Sequence, residues 1–194
     1  PKLSMRLGGG LGYKTPTVFT EDAERIQFRN VLPIDVSKTK AEQSIGGNFD
    51  INYKTPISDK MFFSINTLLF YTQVKNPLVL VPTTTGFYEF QQPKGFIDTK
   101  GLETNIKLTA GDFKLFIGYT LADVKQHYNG NKTAFPLVAK HRLNNVLMYE
   151  REEKLKIGLE AYYFSPQELN DGATGRQYWL FGLMVEKLWE KFSI

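Results

Sequence analysis

The 194-residue sequence contains no cysteine, which excludes disulfide scaffolds, thiolate metal sites and cysteine nucleophiles together. Histidine is nearly as scarce. Only His127 and His141 occur, neither has a carboxylate motif at metal-ligand spacing, and the default for each is a loop or rim side chain rather than a metal or acid–base site. No run approaches the roughly 20 consecutive apolar residues that a membrane-spanning helix needs. No block of like charges interrupts the chain, whose 24 basic and 20 acidic side chains give a formal charge of +4, so nucleic acid is not an expected partner. A nucleophile elbow of the G-x-S-x-G kind is also missing, and no Gly-Lys-Ser/Thr follows the Gly8 to Gly12 cluster to make a phosphate loop. No catalytic residue, metal ligand or cofactor site is therefore expected, and the chain does not read as an enzyme.

Aromatic residues, by contrast, are abundant at 14%, with 15 Phe, 10 Tyr and 2 Trp. Their setting is a pattern of period two, the repeat of a β-strand. In the first segment Leu3, Met5, Leu7, Leu11 and Tyr13 take one parity against Lys2, Ser4, Arg6, Gly8 and Gly10. The same alternation returns over 43–53, 61–72, 102–108, 113–121, 142–150, 154–163 and 178–186, giving eight strands, most of them about 10 residues or longer. Strands of soluble domains most often run five or six residues, whereas a tilted membrane-crossing strand needs about 9–11. Tyr53, Tyr71, Tyr119, Tyr149, Tyr163, Trp179 and Trp189 fall near strand ends, as interfacial girdles would.

The connections alternate. Short turns are expected near Pro56-Ile57-Ser58-Asp59, Gly111-Asp112, Arg151-Glu152-Glu153 and Trp189-Glu190, and longer links over 14–40, 83–86, 125–138 and 166–176. In the first of these, Thr20 ahead of Glu21, Asp22 and Glu24 is a capping signature for a short helix over 20–25. Tight turns on one side and long loops on the other are the layout of outer-membrane barrels. Hydrocarbon forces it, because every backbone group there must pair and neighbouring antiparallel strands pair with the least connection. The expected fold is all-β, an antiparallel up-and-down transmembrane β-barrel segment of about eight strands in contact with outer-membrane lipid. A small self-contained barrel acting as an anchor or adhesin, and a soluble β-sandwich binding module, are the alternative readings; an outer-membrane lipase is a distant fourth.

Three stretches resemble TonB-dependent outer-membrane receptors. The first is Arg6-Leu7-Gly8-Gly9-Gly10-Leu11-Gly12-Tyr13-Lys14-Thr15-Pro16-Thr17 with Phe19-Thr20-Glu21 behind it. The second runs from Lys40-Ala41-Glu42-Gln43-Ser44 through Asn48-Phe49-Asp50 to Phe70-Tyr71-Thr72-Gln73-Val74-Lys75-Asn76-Pro77-Leu78. The third is Lys140-His141-Arg142-Leu143-Asn144-Asn145. The resemblance implies a barrel of the 22-stranded type in the bacterial outer membrane, filled by an N-terminal plug domain. It implies TonB-energised uptake of a nutrient such as a siderophore, cobalamin or saccharide. Residues 1–194 are then expected to be a β-barrel piece from the C-terminal half, with the plug domain and its TonB-contacting box outside the sequence.

A ligand would meet such a protein at its extracellular loops and upper lumen, where Arg25, Arg29, His127, Tyr128 and Arg176 are the candidate contacts for an anionic or aromatic compound. Arg6, Asp50, Glu103, Lys107, Arg142 and Glu160 are expected to point inward, hydrating the lumen or touching a plug. The glycines at 8–12 read as a strand whose small residues admit a neighbouring backbone. Asn170-Asp171-Gly172 reads as a turn.

Overall fold

The computed structural model describes residues 2–151, 154–189 and 192–193. In chain order the elements are β1 Leu3–Lys14, α1 Glu21–Arg25, β2 Glu42–Ser58, β3 Met61–Lys75, β4 Val79–Pro82, β5 Tyr88–Gln91, β6 Gly95–Ala110 and β7 Phe113–Tyr128. They continue with β8 Asn131–Ala134, β9 His141–Arg151, β10 Leu155–Phe164, β11 Gln167–Glu168, β12 Thr174–Gly175, β13 Tyr178–Trp189 and β14 Phe192–Ser193. One antiparallel sheet runs β1-β2-β3-β6-β7-β9-β10-β13-β14, with β8 attached to β7. It is an up-and-down meander. Among the described residues β1 pairs only with β2, so the sheet is open, as part of a larger barrel and not a closed eight-stranded one.

The register explains why the alternation in the sequence is so regular. Phe63, Leu108, Leu115, Leu147, Leu159 and Leu183 lie in one row across six strands. Beside it, on the opposite face, Asn52, Asn66, Asn105 and Asn144 form a polar row interrupted only by Gly118. One face is thus a continuous apolar band and the other is amide- and charge-rich. Leu7 (85% exposed), Leu11 (84%) and Phe181 (78%) stand fully out on the apolar face. Among the described residues no leucine, isoleucine, valine, methionine or aromatic side chain is buried; the buried hydrophobic side chains are those of Ala23, Ala122 and Ala139, with Pro77 beside β3. A soluble sandwich of this size would enclose large side chains between two layers; here a single layer leaves them for lipid to solvate.

Local chemistry sets the ends. The β2–β3 turn carries a register shift between Pro56 and Ser58, since proline brings no N–H to the ladder. Gly111 closes the β6–β7 turn at φ 55°. Gly101 sits where a Cβ would come within 1.9 Å of the Leu121 carbonyl oxygen, and the Phe70 ring covers it from the opposite strand. The expected helix is present, with Ala23 N–H donating to Thr20 Oγ1 at 3.3 Å. Glu152, Glu153 and Glu190, from two of the expected short turns, lie outside the described residues.

Three expectations need correction. β6 begins at Gly95 rather than 102 and β7 continues to Tyr128 rather than 121. The link expected at 83–86 is the tip of a longer connection, 76–94, that folds back as the β4–β5 hairpin. The link expected at 125–138 begins inside β7 and carries β8. At 15–17 residues β2, β3, β6 and β7 exceed what a bilayer requires, so their loop-side ends stand clear of the hydrocarbon.

Candidate functional site at the loop end

All four long connections, 15–41, 76–94, 129–140 and 165–177, leave the same end of the sheet and fold against one another. The first crosses to the second. Leu32 N–H donates to the Tyr88 carbonyl and Tyr88 N–H to the Asn30 carbonyl, both at 2.8 Å, around a parallel bridge between Val31 and Tyr88. Gln92 then binds the Lys40 main chain from both ends of its amide, donating to the carbonyl at 2.7 Å and accepting from the N–H at 2.8 Å. Its Nε2 also donates to the Asn76 carbonyl at 2.9 Å. The third connection reaches the fourth through Leu137 N–H and the Glu168 carbonyl at 2.7 Å. Helix α1 meets that pair across a cavity of about 380 Å³ lined by Thr20, Glu21, Asp22, Arg25, residues 135–138 and Asn170.

The five candidate ligand residues do not gather at one point. Arg25 lines the α1 cavity, its guanidinium 3.4 Å from Asp22 Oδ1. Arg29 is exposed in the turns beyond the helix, and Arg176 is exposed between β12 and β13. His127 and Tyr128 are neighbours in a strand, so their side chains leave opposite faces. His127 takes the parity of the apolar face, where its Nε2 bonds Asp98 and its ring stacks on Phe96 at 4.4 Å. Tyr128 takes the lumenal parity; its hydroxyl is buried with no hydrogen-bond partner among the described residues. Burial, helped by the Glu42 carboxylate, pushes its pKa up to about 12.

The residues expected to point inward share the polar face. Arg6 Nε donates to Asp50 Oδ1 at 3.3 Å and Asn66 Nδ2 to Asp50 Oδ2 at 2.7 Å. Asn105 donates to Glu103 at 2.8 Å, Tyr162 donates to Glu160 at 2.8 Å, and the Lys107 ammonium lies 5.3 Å above the Phe116 ring. Higher on this face Gly8, Gly10, Gly12 and Gly46 leave a depression of about 440 Å³ beside Asn48 and Thr72.

Sequence reasoning missed residues 135–138, Asn170 and Gln92. Only Pro136 and the Asn170-Asp171-Gly172 turn carry a local signal, and that signal says loop. The turn is present, with Gly172 at φ 81° and Ala173 N–H donating to Asp171 Oδ1 at 3.0 Å. In the first connection the Ser37 hydroxyl and amide, with the Lys38 ammonium, hold the Asp35 carboxyl down at about 2.

An open, one-layered sheet with an apolar outer face, a polar inner face and loops folded over one end is a barrel wall. The family described as "TonB dependent receptor-like, beta-barrel" matches residues 2–191. The chain belongs to the TonB-dependent receptors. Among curated proteins none matches it by sequence. Among solved structures it is similar to the FrpB iron transporter from Neisseria meningitidis, at 15% identity and TM-score 0.69 over 96% of this chain and 30% of that one. It is similar to the copper transporter OprC, at 14% identity and TM-score 0.69 over 97% and 29%. It is also similar to the ferric enterobactin receptor from Pseudomonas aeruginosa, at 13% identity and TM-score 0.66 over 98% and 31%. The chain spans less than a third of each of these proteins. At such identities the likeness concerns the fold alone; it is membership of the family, over residues 2–191, that places this chain in the bacterial outer membrane.

Proposed function

We propose that this chain forms part of the wall, and four of the extracellular loops, of a receptor that takes up a scarce nutrient across the outer membrane with energy delivered by a TonB complex. The observation that supports it is the division of labour in one sheet: lipid-facing leucines outside, an amide and charge lining inside, and long loops folded together at one mouth. A plug domain would seat on the polar face, and the glycine-lined depression suits a closely approaching backbone there. The cargo would be an extracellular small molecule or oligomer of the kind such receptors carry, with siderophore, cobalamin or saccharide as the classes to test. Arg25, beside the loop cavity, is the first candidate contact for an anionic cargo; Arg29, Arg176 and Tyr128 are further ones. His127, bonded to Asp98 on the outer face, is the weakest of the five.

The test is uptake by cells expressing the whole receptor, using labelled ferric siderophores, cobalamin and oligosaccharides. Accumulation of one class that vanishes on deletion of the gene and on collapse of the proton gradient supports the reading. Uptake of every class unchanged by the deletion, under conditions where the protein is present in the outer membrane, overturns it.

A further inference from the structure

One amide stands inside the apolar band. Asn145 of β9 has the outward parity, with Leu143 and Leu147 on either side along its strand and Ile117 and Ala161 across from it. Its row lies one below the aromatics Tyr119 and Tyr163 and two above Tyr149, on the hydrocarbon side of both. A polar group at that depth has no water to bond, so it requires a protein partner. Thr67 and Thr104, on the same face, satisfy each other at 3.1 Å. Asn145 has no such relief: Nδ2 makes a long bond to the Ala161 carbonyl at 3.4 Å, and Oδ1 has no partner among the described residues. Beside it the wall is hollowed by a depression of about 480 Å³, lined by Leu147, Leu159, Ala161, Phe181 and Leu183 with Asn145.

We propose that Asn145 is the centre of a two-fold contact between copies of this receptor within the membrane, its amide pairing with the partner's Asn145. The other candidates for the amide are excluded by position. β9 is already flanked by β7 and β10, so no further strand of the same barrel can reach it. Plug and cargo lie on the other side of the wall, and acyl chains carry neither donor nor acceptor. An identical receptor brings an identical amide to the same depth, and a carboxamide is self-complementary, each N–H meeting the other's oxygen. A two-fold axis along the membrane normal through Asn145 makes that pair reciprocal. Strands tilted by roughly 35–45° then cross between the two walls, so the row neighbours of one copy face the strand neighbours of the other. The small side chain of Ala161 and the hollow beside it leave room there for a facing leucine, as small residues do where membrane segments approach closely. The inference rests on the outer-membrane barrel fold and not on which nutrient is carried.

The experiment uses the whole receptor, labelled with one fluorophore per copy and reconstituted into phosphatidylcholine vesicles over a range of protein-to-lipid ratios, with copies counted by single-molecule photobleaching. The unaltered receptor should pass from one bleaching step to two as the ratio rises. Hydrogen bonds of this kind between membrane segments are each worth a factor of about three to ten, so Asn145→Leu should weaken dimerisation roughly tenfold or more. Its denaturant midpoint should not fall, because leucine replaces an amide in hydrocarbon; that separates lost association from lost folding. Asn144→Leu makes the same change one residue away on the lumenal face and should dimerise as the unaltered receptor does. Mixed pairs of unaltered and Asn145→Leu receptor should be as weak as pairs of the variant, since one amide alone has nothing to meet. Single-step bleaching of the unaltered receptor at every ratio, undiminished pairing of Asn145→Leu, an equal loss in Asn144→Leu, or mixed pairs as strong as the unaltered ones would each overturn the proposal. Counting copies requires no cargo, so the result is independent of the uptake assay.

Discussion

Gln92 holds Lys40 by both ends of one amide, Nε2 on the carbonyl at 2.7 Å and Oε1 on the N–H at 2.8 Å. The two residues are 52 positions apart, on different extracellular connections, and the same Nε2 reaches Asn76 at the top of β3. An amide that satisfies two groups on one residue copies a strand pairing without a strand. It joins the end of the first connection to the end of the second just above β2 and β3.

Removing that clamp gives the first prediction. Gln92→Ala leaves the Lys40 N–H and carbonyl and the Asn76 carbonyl to water and should cost about 1–3 kcal/mol of local stability, since three hydrogen bonds to one side chain are lost. Amide hydrogen exchange over residues 30–41 and 86–92 should accelerate roughly tenfold or more, while the strand segments below stay protected. Exchange unchanged in both segments would show that the Val31–Tyr88 bridge holds the loops alone.

The lipid-facing assignment makes the second prediction. Leu115 and Ile117 share the apolar face, Ile117 one row nearer the loops. Arginine at either position should destabilise the inserted barrel by about 2–4 kcal/mol near the midplane. Val146 lies on the polar face opposite Glu160, and Val146→Arg should be tolerated. Unfolding by denaturant from lipid vesicles measures all three. Equal behaviour of the two faces would mean that they have been assigned in reverse or that neither meets hydrocarbon.

How far the sequence carried the fold follows from the same two faces. Where both are present the strand is legible: Leu155, Ile157, Leu159, Ala161 and Tyr163 against Lys154, Lys156, Gly158 and Glu160 place β10 within one residue of its observed ends. Above the bilayer the apolar partner disappears. Asp98 and Lys100 in β6, with Asp123, Lys125 and His127 in β7, occupy positions that leucine holds lower down. The alternation fades there although the ladder continues unbroken to Gly95 and Tyr128. Short β4, β5, β8, β11 and β12 carry too few residues to show a period. The loop assembly was less legible still. Arg25 could be suspected from its charge, but its cavity is made by residues 135–138 and Asn170, more than 100 positions away in sequence. Nothing local in Gln92 announces that it will meet Lys40.

Glycine supplies the third prediction through a matched pair. A Cβ at Gly101 would stand 1.9 Å from the Leu121 oxygen and 2.8 Å from the Phe70 ring, whereas at Gly10 nothing lies within 4 Å. Gly101→Ala must push β6 off β7 and should cost about 3 kcal/mol, the upper range for overpacking against backbone. Gly10→Ala should be neutral or slightly stabilising through reduced freedom of the unfolded chain. The denaturant midpoints of the two variants should therefore move in opposite directions or, at the least, differ by that margin. Two equal shifts would mean that the close approach at Gly101 relaxes without cost.

Tyr128 gives the last prediction, and its sign follows from the direction of its pKa. Burial and the Glu42 carboxylate raise the phenol to about 12 from 10.0, so the folded state keeps the proton longer than the unfolded one. The contribution to stability is complete below pH 10 and is lost as pH rises through about 12. Tyr128→Phe removes both the titration and a buried hydroxyl that has no partner among the described residues. Below pH 10 the variant should be equal to or about 1 kcal/mol more stable than the unaltered protein, because an unsatisfied buried hydroxyl costs that much or more. Between pH 10 and 12 its advantage should widen, since only the unaltered chain gains tyrosinate on unfolding. Near-ultraviolet titration of the two folded proteins isolates the step, which should appear close to pH 12 in their difference. A step near pH 10 would put the hydroxyl in water and remove Tyr128 from the closed wall of the upper lumen.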